Sequence, residues 1–411
     1  MLSVETKLHL TLTVAAAGVE VNDLAAWCFG VRNGIGQQIL SQVLQRAQEQ
    51  HWDQVLAGSG AVACRRCGLE HSGPDAAVVR RGSRRRQVRT SSGRVSFRLL
   101  QLTCLECGAT WSPYAELLGL TPRQRVCEEL VRKLTDLVTR LSYANTAELG
   151  RQWLGASVTP RTLHRAVQGY GSAVEFTEGE AFETLVADST CVPAGQVDRG
   201  EAACVALQVS KRARRRGRSR YSKRVVGFGV GWGSWEEALA TRSIPEVVVT
   251  DGESGVHQVI ESYFPAARHQ QCEWHVPHSI NQSLMLDGMS VQQRREMQAE
   301  LRQIFWKRGA KARERYQAFT DRLAEYPRTN TLLTNALPYL LYDDSSTVRS
   351  TSLVEREMRE MNRRTDVGVR WSITGITNML KLRLAQRLNP DDYARIWRAH
   401  RPVTSNVASH A

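Results

Sequence analysis

The chain has 411 residues, with 55 Lys+Arg against 41 Asp+Glu and a formal net charge of +14, a balance that points to a polyanionic partner, most simply nucleic acid. The length allows several structural units with sizeable cores. No run nears the ~20 apolar residues of a membrane span, and no basic segment leads into an apolar one at the N-terminus, so a cytoplasmic protein is expected. Nine cysteines in so long a chain exclude a disulfide scaffold, and two Cys-x-x-Cys pairs among them suggest metal binding.

Residues 1–60 read as an α+β region without chemistry: residues 8–14 alternate like a strand, and residues 36–50 carry helically spaced apolar positions at Ile39, Leu40, Val43 and Leu44. In residues 61–115, ACRRCG at Cys64 and Cys67 is answered by TCLECG at Cys104 and Cys107. Two such turns, each closed by glycine, can bring four thiolates onto one tetrahedral Zn²⁺, a structural site because the protein fills every position. Alternation around Ser92 and Gly93 predicts a hairpin between the knuckles, as in a zinc ribbon. A redox dithiol is the competing reading, and His71 is a bystander. The tract RRGSRRRQVR (80–89), with Arg84, Arg85 and Arg86, is either a solvated loop or a phosphate contact, and we favour the second.

Residues 121–175 are helical in pattern, with Leu130, Leu134, Leu137, Val138 and Leu141 recurring at threes and fours. A helix, a glycine-containing turn and a second helix opened by Thr159-Pro160 follow, which is a helix-turn-helix signature. Arg161 and Arg165 are expected on the exposed face of the second helix. An ordinary helical hairpin gives the same pattern.

From residue 180 the character changes. FETLVADSTCV, CVALQVS and RVVGFGVGW read as strands, and a dense basic loop, KRARRRGRSRYSKR with Arg214, Arg215 and Arg216, is expected between the last two. A short helix then precedes VVVTDGE, an apolar β-branched run that places Asp251 at the C-terminal mouth of a buried strand. Asp251 could equally cap the helix that follows. Residues 276–344 form a polar helical insertion with Trp306, Tyr316 and Phe319 as packing residues. In SLVEREMREMNRRT, capped by Thr351 or Ser352, Val354, Met358 and Met361 make an apolar stripe with Glu355 beside it. The bland reading of Glu355 is an i,i+4 pair with Arg359.

VVVTDGESGVHQVIESYFPAARHQQCEWH and SLVEREMREMNRRTDVGVRWS resemble the second-aspartate and third-acid blocks of Mutator-type bacterial insertion-sequence DDE transposases, over residues 180–385. The likeness implies a multidomain α/β protein. An RNase H-like mixed sheet with flanking helices (180–275 and 345–390) would be interrupted by the helical insertion, preceded by the zinc ribbon and helix-turn-helix, and followed by a tail (391–411). It maps the catalytic acids to Asp188, Asp251 and Glu355, which would hold Mg²⁺ or Mn²⁺. It further implies a nucleoid-associated enzyme that cuts transposon terminal inverted repeats and joins them to target DNA as a homodimer. Arg363 and Arg364 fall in the basic end of the third-acid block as DNA contacts. Cys272 and His275 match the family's Cys-x-x-His, read as a structural or DNA-contacting pair. A DNA-binding regulator derived from a transposase, or a metal-dependent nuclease without a joining step, would carry the same residues.

Overall fold

A computed structural model describes residues 21–121, 123–179, 183–196, 200–215, 218–341 and 348–399; the strand expected at residues 8–14 lies outside these. The chain divides into two compact units, Met1–Val167 with Arg395–Ala411, and Gln168–Ala394.

The first unit opens with a helix, α1 (Val21–Leu56), longer than the 36–50 segment expected because only its second half carries the apolar spacing. Strands β1 (Val62–Ala63) and β2 (Glu70–His71) form a small ribbon, and β3 (Val78–Thr90), β4 (Gly93–Cys104) and β5 (Thr110–Trp111) a second antiparallel sheet. The expected hairpin forms, with Thr90 paired to Gly93. Its core sets Trp52 and Val55 of α1 against Val95, Phe97, Leu99 and Leu102 of β4. Gln48 is buried yet satisfied, donating to the Arg98 carbonyl and accepting from the Leu100 N–H, so one amide staples α1 to the β4 backbone. The arginine tract is not a loop: it is β3 itself, whose middle is largely exposed, while its neighbour β4 is mostly buried.

Four helices follow: α2 (Tyr114–Leu117), α3 (Glu128–Val138), α4 (Tyr143–Leu154) and α5 (Pro160–Ser172). Ser142 caps α4 through the Asn145 N–H, Gly155 ends it in the left-handed region, and the Thr159 hydroxyl accepts from the Thr162 N–H ahead of Pro160.

The second unit is built on a five-stranded mixed sheet of β6 (Thr184–Val192), β7 (Glu201–Arg215), β8 (Arg218–Val230), β9 (Val247–Thr250) and β10 (Arg268–Gln271), in the order β10-β9-β6-β7-β8. Strands β6, β7 and β8 are antiparallel, whereas β9 runs parallel to both β6 and β10. The basic insert is not a loop either, because β7 and β8 continue through it, pairing Lys211 with Tyr221 and Arg212 with Arg220. Helices α6 (Trp232–Ala240) and α7 (Ser254–Tyr263) cover one face through Trp235, Leu239, Val256 and Ile260, packed on Leu185, Ala187, Cys204 and Val248. The contact between α6 and β8 is close: a Cβ on Gly229 would lie 2.5 Å from the Trp235 backbone nitrogen.

The insertion, α8 (Val276–Leu286), α9 (Val291–Phe305), α10 (Ala310–Arg322) and α11 (Pro327–Ala336) with a 3₁₀ turn at Leu337–Tyr339, has its own core. Tyr316 and Phe319 belong to it, but Trp306 is 76% exposed. It stands one residue past the end of α9, off the face that buries Leu301, Ile304 and Phe305. Helices α12 (Ser352–Thr365), α13 (Ile373–Leu388) and α14 (Pro390–Ala399) complete the chain. Val354, Met358 and Met361 are buried on α12, the stripe expected from the sequence. Among the described residues no helix is long and apolar enough to cross a membrane.

Replacing Gly229 by Ala should force α6 off β8 and cost about 1–3 kcal/mol as overpacking. Urea unfolding should show a lower midpoint with unchanged slope; an unaltered midpoint would mean that the close packing contributes nothing to stability.

Candidate functional site

Strand parity brings the acids of the second unit together. Thr184, Leu185 and Val186 of β6 pair in parallel register with Val247, Val248 and Val249 of β9. Side chains alternate along a strand, and Leu185, Ala187 and Val248 face α6 and α7. Val186, Asp188 and Val249 therefore face the other way. Continuing the same register by two residues sets Asp188 level with Asp251, on the side where α12 packs on β6. Glu355 stands in the first turn of α12.

Asp188 is buried, and its pKa is raised to about 7, first by burial and then by the negative charge of Asp251, with a smaller contribution from Glu355. The Ser189 N–H, donating to Asp188 Oδ1 at 2.8 Å, and the nearby His275 oppose the rise. Asp251 Oδ1 accepts from the Glu253 N–H at 2.9 Å, so Asp251 braces the turn; the N-cap of α7 is Glu253, whose own carboxylate accepts from the Ser189 hydroxyl. A buried acid pushed up by like charges is what a divalent cation discharges, and oxygen-only donors suit Mg²⁺ or Mn²⁺. Asp251 and Glu355 are each within electrostatic reach of Asp188, but among the described residues the three carboxyl groups are not as tightly clustered as the groups that could grip an ion without rearrangement.

Glu355 is held from below. The Thr351 hydroxyl donates to Glu355 Oε1 at 2.9 Å and lies 3.2 Å from His275 Nδ1, and His275 Nε2 is 3.8 Å from Glu355 Oε1. The Thr351 N–H in turn donates to the buried Cys272 sulfur at 3.4 Å. Cys272 and His275 are coupled through a hydrogen bond that favours the charged form of each. The hydrogen bond to Cys272 raises His275 to about 9 against the effect of burial, with help from the charges of Glu355 and Asp251. Burial pushes the Cys272 thiol up, but its bond to His275 and the Thr351 amide bring it below its usual value. Sequence reading placed Thr351 only as a helix cap; nothing in the pattern revealed that it joins Cys-x-x-His to Glu355.

The neighbouring acids of α12 are committed elsewhere. Glu357 is buried between Lys223 of β8 at 2.7 Å and Arg387 of α13 at 2.9 Å, and these partners hold its pKa below the usual value despite burial. Glu360 pairs with Arg363 and with Arg383 at 3.0 Å.

The expected DNA-contacting arginines separate into two groups. Arg84, Arg85, Arg161 and Arg165 are exposed. Arg86 instead donates to the Thr121 and Gln124 carbonyls, and Arg363 is exposed but paired with Glu360. Arg364 is buried, its guanidinium 4.9 Å from the centre of the Trp371 ring, so packing takes the place of the expected phosphate contact. Arg214 and Arg215 lie on the backbone of β7, and Arg216 is outside the described residues.

In the first unit the two cysteine turns are hydrogen-bonded alike. The Cys64 N–H donates to Leu69 and Gly68 to Cys64, while Cys104 donates to Ala109 and Gly108 to Cys104. Gly68 and Gly108 take φ of 72° and 69°, which only glycine adopts without strain. The sulfurs of Cys64 and Cys107 are 3.5 Å apart and those of Cys67 and Cys104 3.9 Å. A tetrahedron with Zn–S near 2.3 Å has edges of about 3.8 Å, so the cluster could hold zinc with little movement. His71 stays outside it, packed near Trp111.

A family model described as Transposase, Mutator family, matches residues 31–372. No curated protein matches the chain.

Replacing Cys104 by Ser should leave each chain with one zinc fewer by elemental analysis of purified protein; equal zinc content would remove the cluster as a metal site. Asp188 gives a second prediction. Its folded pKa lies above the unfolded value, so its contribution to stability is present at low pH and is lost as pH rises from about 4 through about 7. In Mg²⁺-free buffer the melting temperature should fall across that window, and Asp188→Asn should flatten the decline; identical slopes in the two proteins would show that Asp188 is not strained.

Proposed function

This chain belongs to the Mutator family of transposases, and we propose that it binds the terminal inverted repeats of an insertion sequence, cuts them and joins them to target DNA in a reaction that needs Mg²⁺ or Mn²⁺. The observation that carries the reading is the meeting of Asp188, Asp251 and Glu355 from β6, the end of β9 and α12 on one face of a mixed sheet. That sheet, with helices on both faces and a helical insertion between its last strand and α12, is read as RNase H-like.

Asp188, Asp251 and Glu355 would hold two divalent cations, which when bound activate water or a 3′-hydroxyl and stabilise the leaving oxygen. The chain's own part is positional. The strands set Asp188 level with Asp251, the Glu253 N–H holds the Asp251 carboxylate in the turn after β9, and Thr351 with His275 orients Glu355. His275, raised to about 9 and beside Glu355, would offset part of the negative charge of that carboxylate and of an incoming phosphodiester. Glu357 and Glu360, bound into ion pairs with β8 and α13, tie the helix down rather than serve the metal.

DNA is assigned to the exposed Arg84 and Arg85 on β3 and Arg161 and Arg165 on α5, and to the β7–β8 ribbon whose sequence carries Arg214 and Arg215. The arrangement of α4 and α5, with its left-handed Gly155 and Thr159-Pro160 start, favours a helix-turn-helix. A zinc-bound Cys64, Cys67, Cys104 and Cys107 would stiffen the sheet that presents Arg84 and Arg85. A homodimer pairing two ends is proposed from the family alone.

Asp188→Asn, Asp251→Asn and Glu355→Gln should each abolish strand transfer of oligonucleotide ends into a plasmid while retaining end binding. Retained transfer in Glu355→Gln together with loss in Glu360→Gln would move the third acid. End binding should weaken steeply as salt rises, and Arg161→Ala should make that slope shallower by about one; affinity indifferent to salt would refute the basic contacts.

A further inference from the structure

Apart from the four cysteines, one other group of described side chains brings potential ligand atoms within 4.8 Å of one another: His257, Glu261 and His269. We propose that these three residues form a second transition-metal site, of the zinc class, which clamps α7 to the edge strand β10 and to the 3₁₀ turn that ends the helical insertion.

Each ligand has a structural reason to be where it is. His257 and Glu261 are one turn apart on α7, so both project from the same side of the helix. His257 Nε2 lies 2.8 Å from Glu261 Oε1, and a cation entering the site would replace that hydrogen bond. His269 is the second residue of β10, and its ring centre is 4.4 Å from that of His257. Burial, followed by the neighbouring His257, lowers the His269 pKa to about 4, so its ring is neutral as a ligand must be. The Thr250 hydroxyl, 2.8 Å from His269 Nε2, fixes the ring's orientation in the way that outer hydrogen bonds orient metal-binding imidazoles. Tyr339 closes the group, with its ring against both imidazoles and its hydroxyl donating to Glu261 Oε1 at 3.3 Å.

Two imidazoles and one carboxylate are the donor set of zinc sites that leave a fourth position to water, and they are too rich in nitrogen for Mg²⁺ or Ca²⁺. Glu261 is exposed and both histidines are half-buried, so an ion has a path in from solvent. The bland alternative is aromatic packing of two histidines on a tyrosine. An i,i+4 pair on α7 accounts for Glu261 beside His257, but not for His269 bringing a third ligand atom to the same point from β10. Nor does packing account for the Thr250 hydroxyl of β9 fixing the His269 ring. Thr250 directly precedes Asp251, so an occupied site would stiffen the strand that presents that acid. The proposal itself does not depend on catalysis.

The test is zinc stoichiometry of the full chain after equilibrium dialysis against Zn²⁺, compared among variants. The unsubstituted chain and Asp188→Asn should each retain one equivalent more than His269→Asn or His257→Asn. Glu261→Gln, a change at the surface that should not disturb folding, should weaken the additional equivalent by about tenfold or more. With Co²⁺ in place of Zn²⁺, the thiolate charge-transfer band of the cysteine cluster should persist in the histidine variants. Equal zinc content in the unsubstituted chain, His269→Asn and Glu261→Gln would overturn the proposal. So would loss of the additional equivalent in Asp188→Asn but not in the histidine variants, since the ion would then belong to the acid cluster.

Discussion

The second unit of this transposase depends on a fixed alternation. In an extended strand neighbouring side chains point to opposite faces, so two parallel strands held in register must present level residues on the same side. With Val186 paired to Val249, Asp188 and Asp251 follow as a consequence of pairing rather than of any contact between them. A slip of one residue would turn one carboxylate toward the apolar layer formed by Trp235, Val256 and Ile260. The buried valines of β9, with Leu185 and Val186 of β6, are what prevent that slip, because moving them would bring apolar side chains out of the core.

The third acid arrives from a helix, and its placement requires a different kind of restraint. Helix α12 combines an apolar stripe with a network of charges, in which Glu357 lies between Lys223 and Arg387, and Glu360 accepts from Arg383. Buried ion pairs contribute little to net stability compared with apolar packing, but breaking one is costly, so they specify a single seating of the helix. At its start, Cys272, His275 and Thr351 link the end of β10 to Glu355 through consecutive hydrogen bonds. The acid cluster is thus framed by groups whose own positions are determined by the core.

Much of this was legible in the residues. Three strands, a helix and a fourth strand follow from apolar runs and their lengths, and the acids from the points where those runs end. The strand β10 was missed because Arg268, His269, Gln270 and Gln271 carry no apolar signal; it exists because β9 offers a parallel edge. The basic insert after residue 210 was read as a loop, and a loop was one of two readings of the 80–89 tract, since composition suggests solvent and cannot distinguish an exposed strand from a loop. Arginine counting also gave Arg86 and Arg364 to DNA, whereas one caps backbone carbonyls and the other stacks on Trp371. Whether an arginine faces solvent depends on neighbours outside its own helix or strand, such as Thr121 for Arg86 and Trp371 for Arg364, which counting charges does not reveal. The pairing of His257 with His269 across α7 and β10 was hidden for the same reason.

What joins these layers is the claim that one buried aspartate, one strand-end aspartate and one helix glutamate exist to hold divalent cations. Anomalous diffraction from crystals grown with Mn²⁺ tests it most directly. Manganese peaks ligated by Asp188 and Asp251, with Glu355 completing the group, are the predicted result. Saturating Mn²⁺ that leaves Asp188 uncoordinated, or that settles on Glu357 or Glu360 instead, would contradict it.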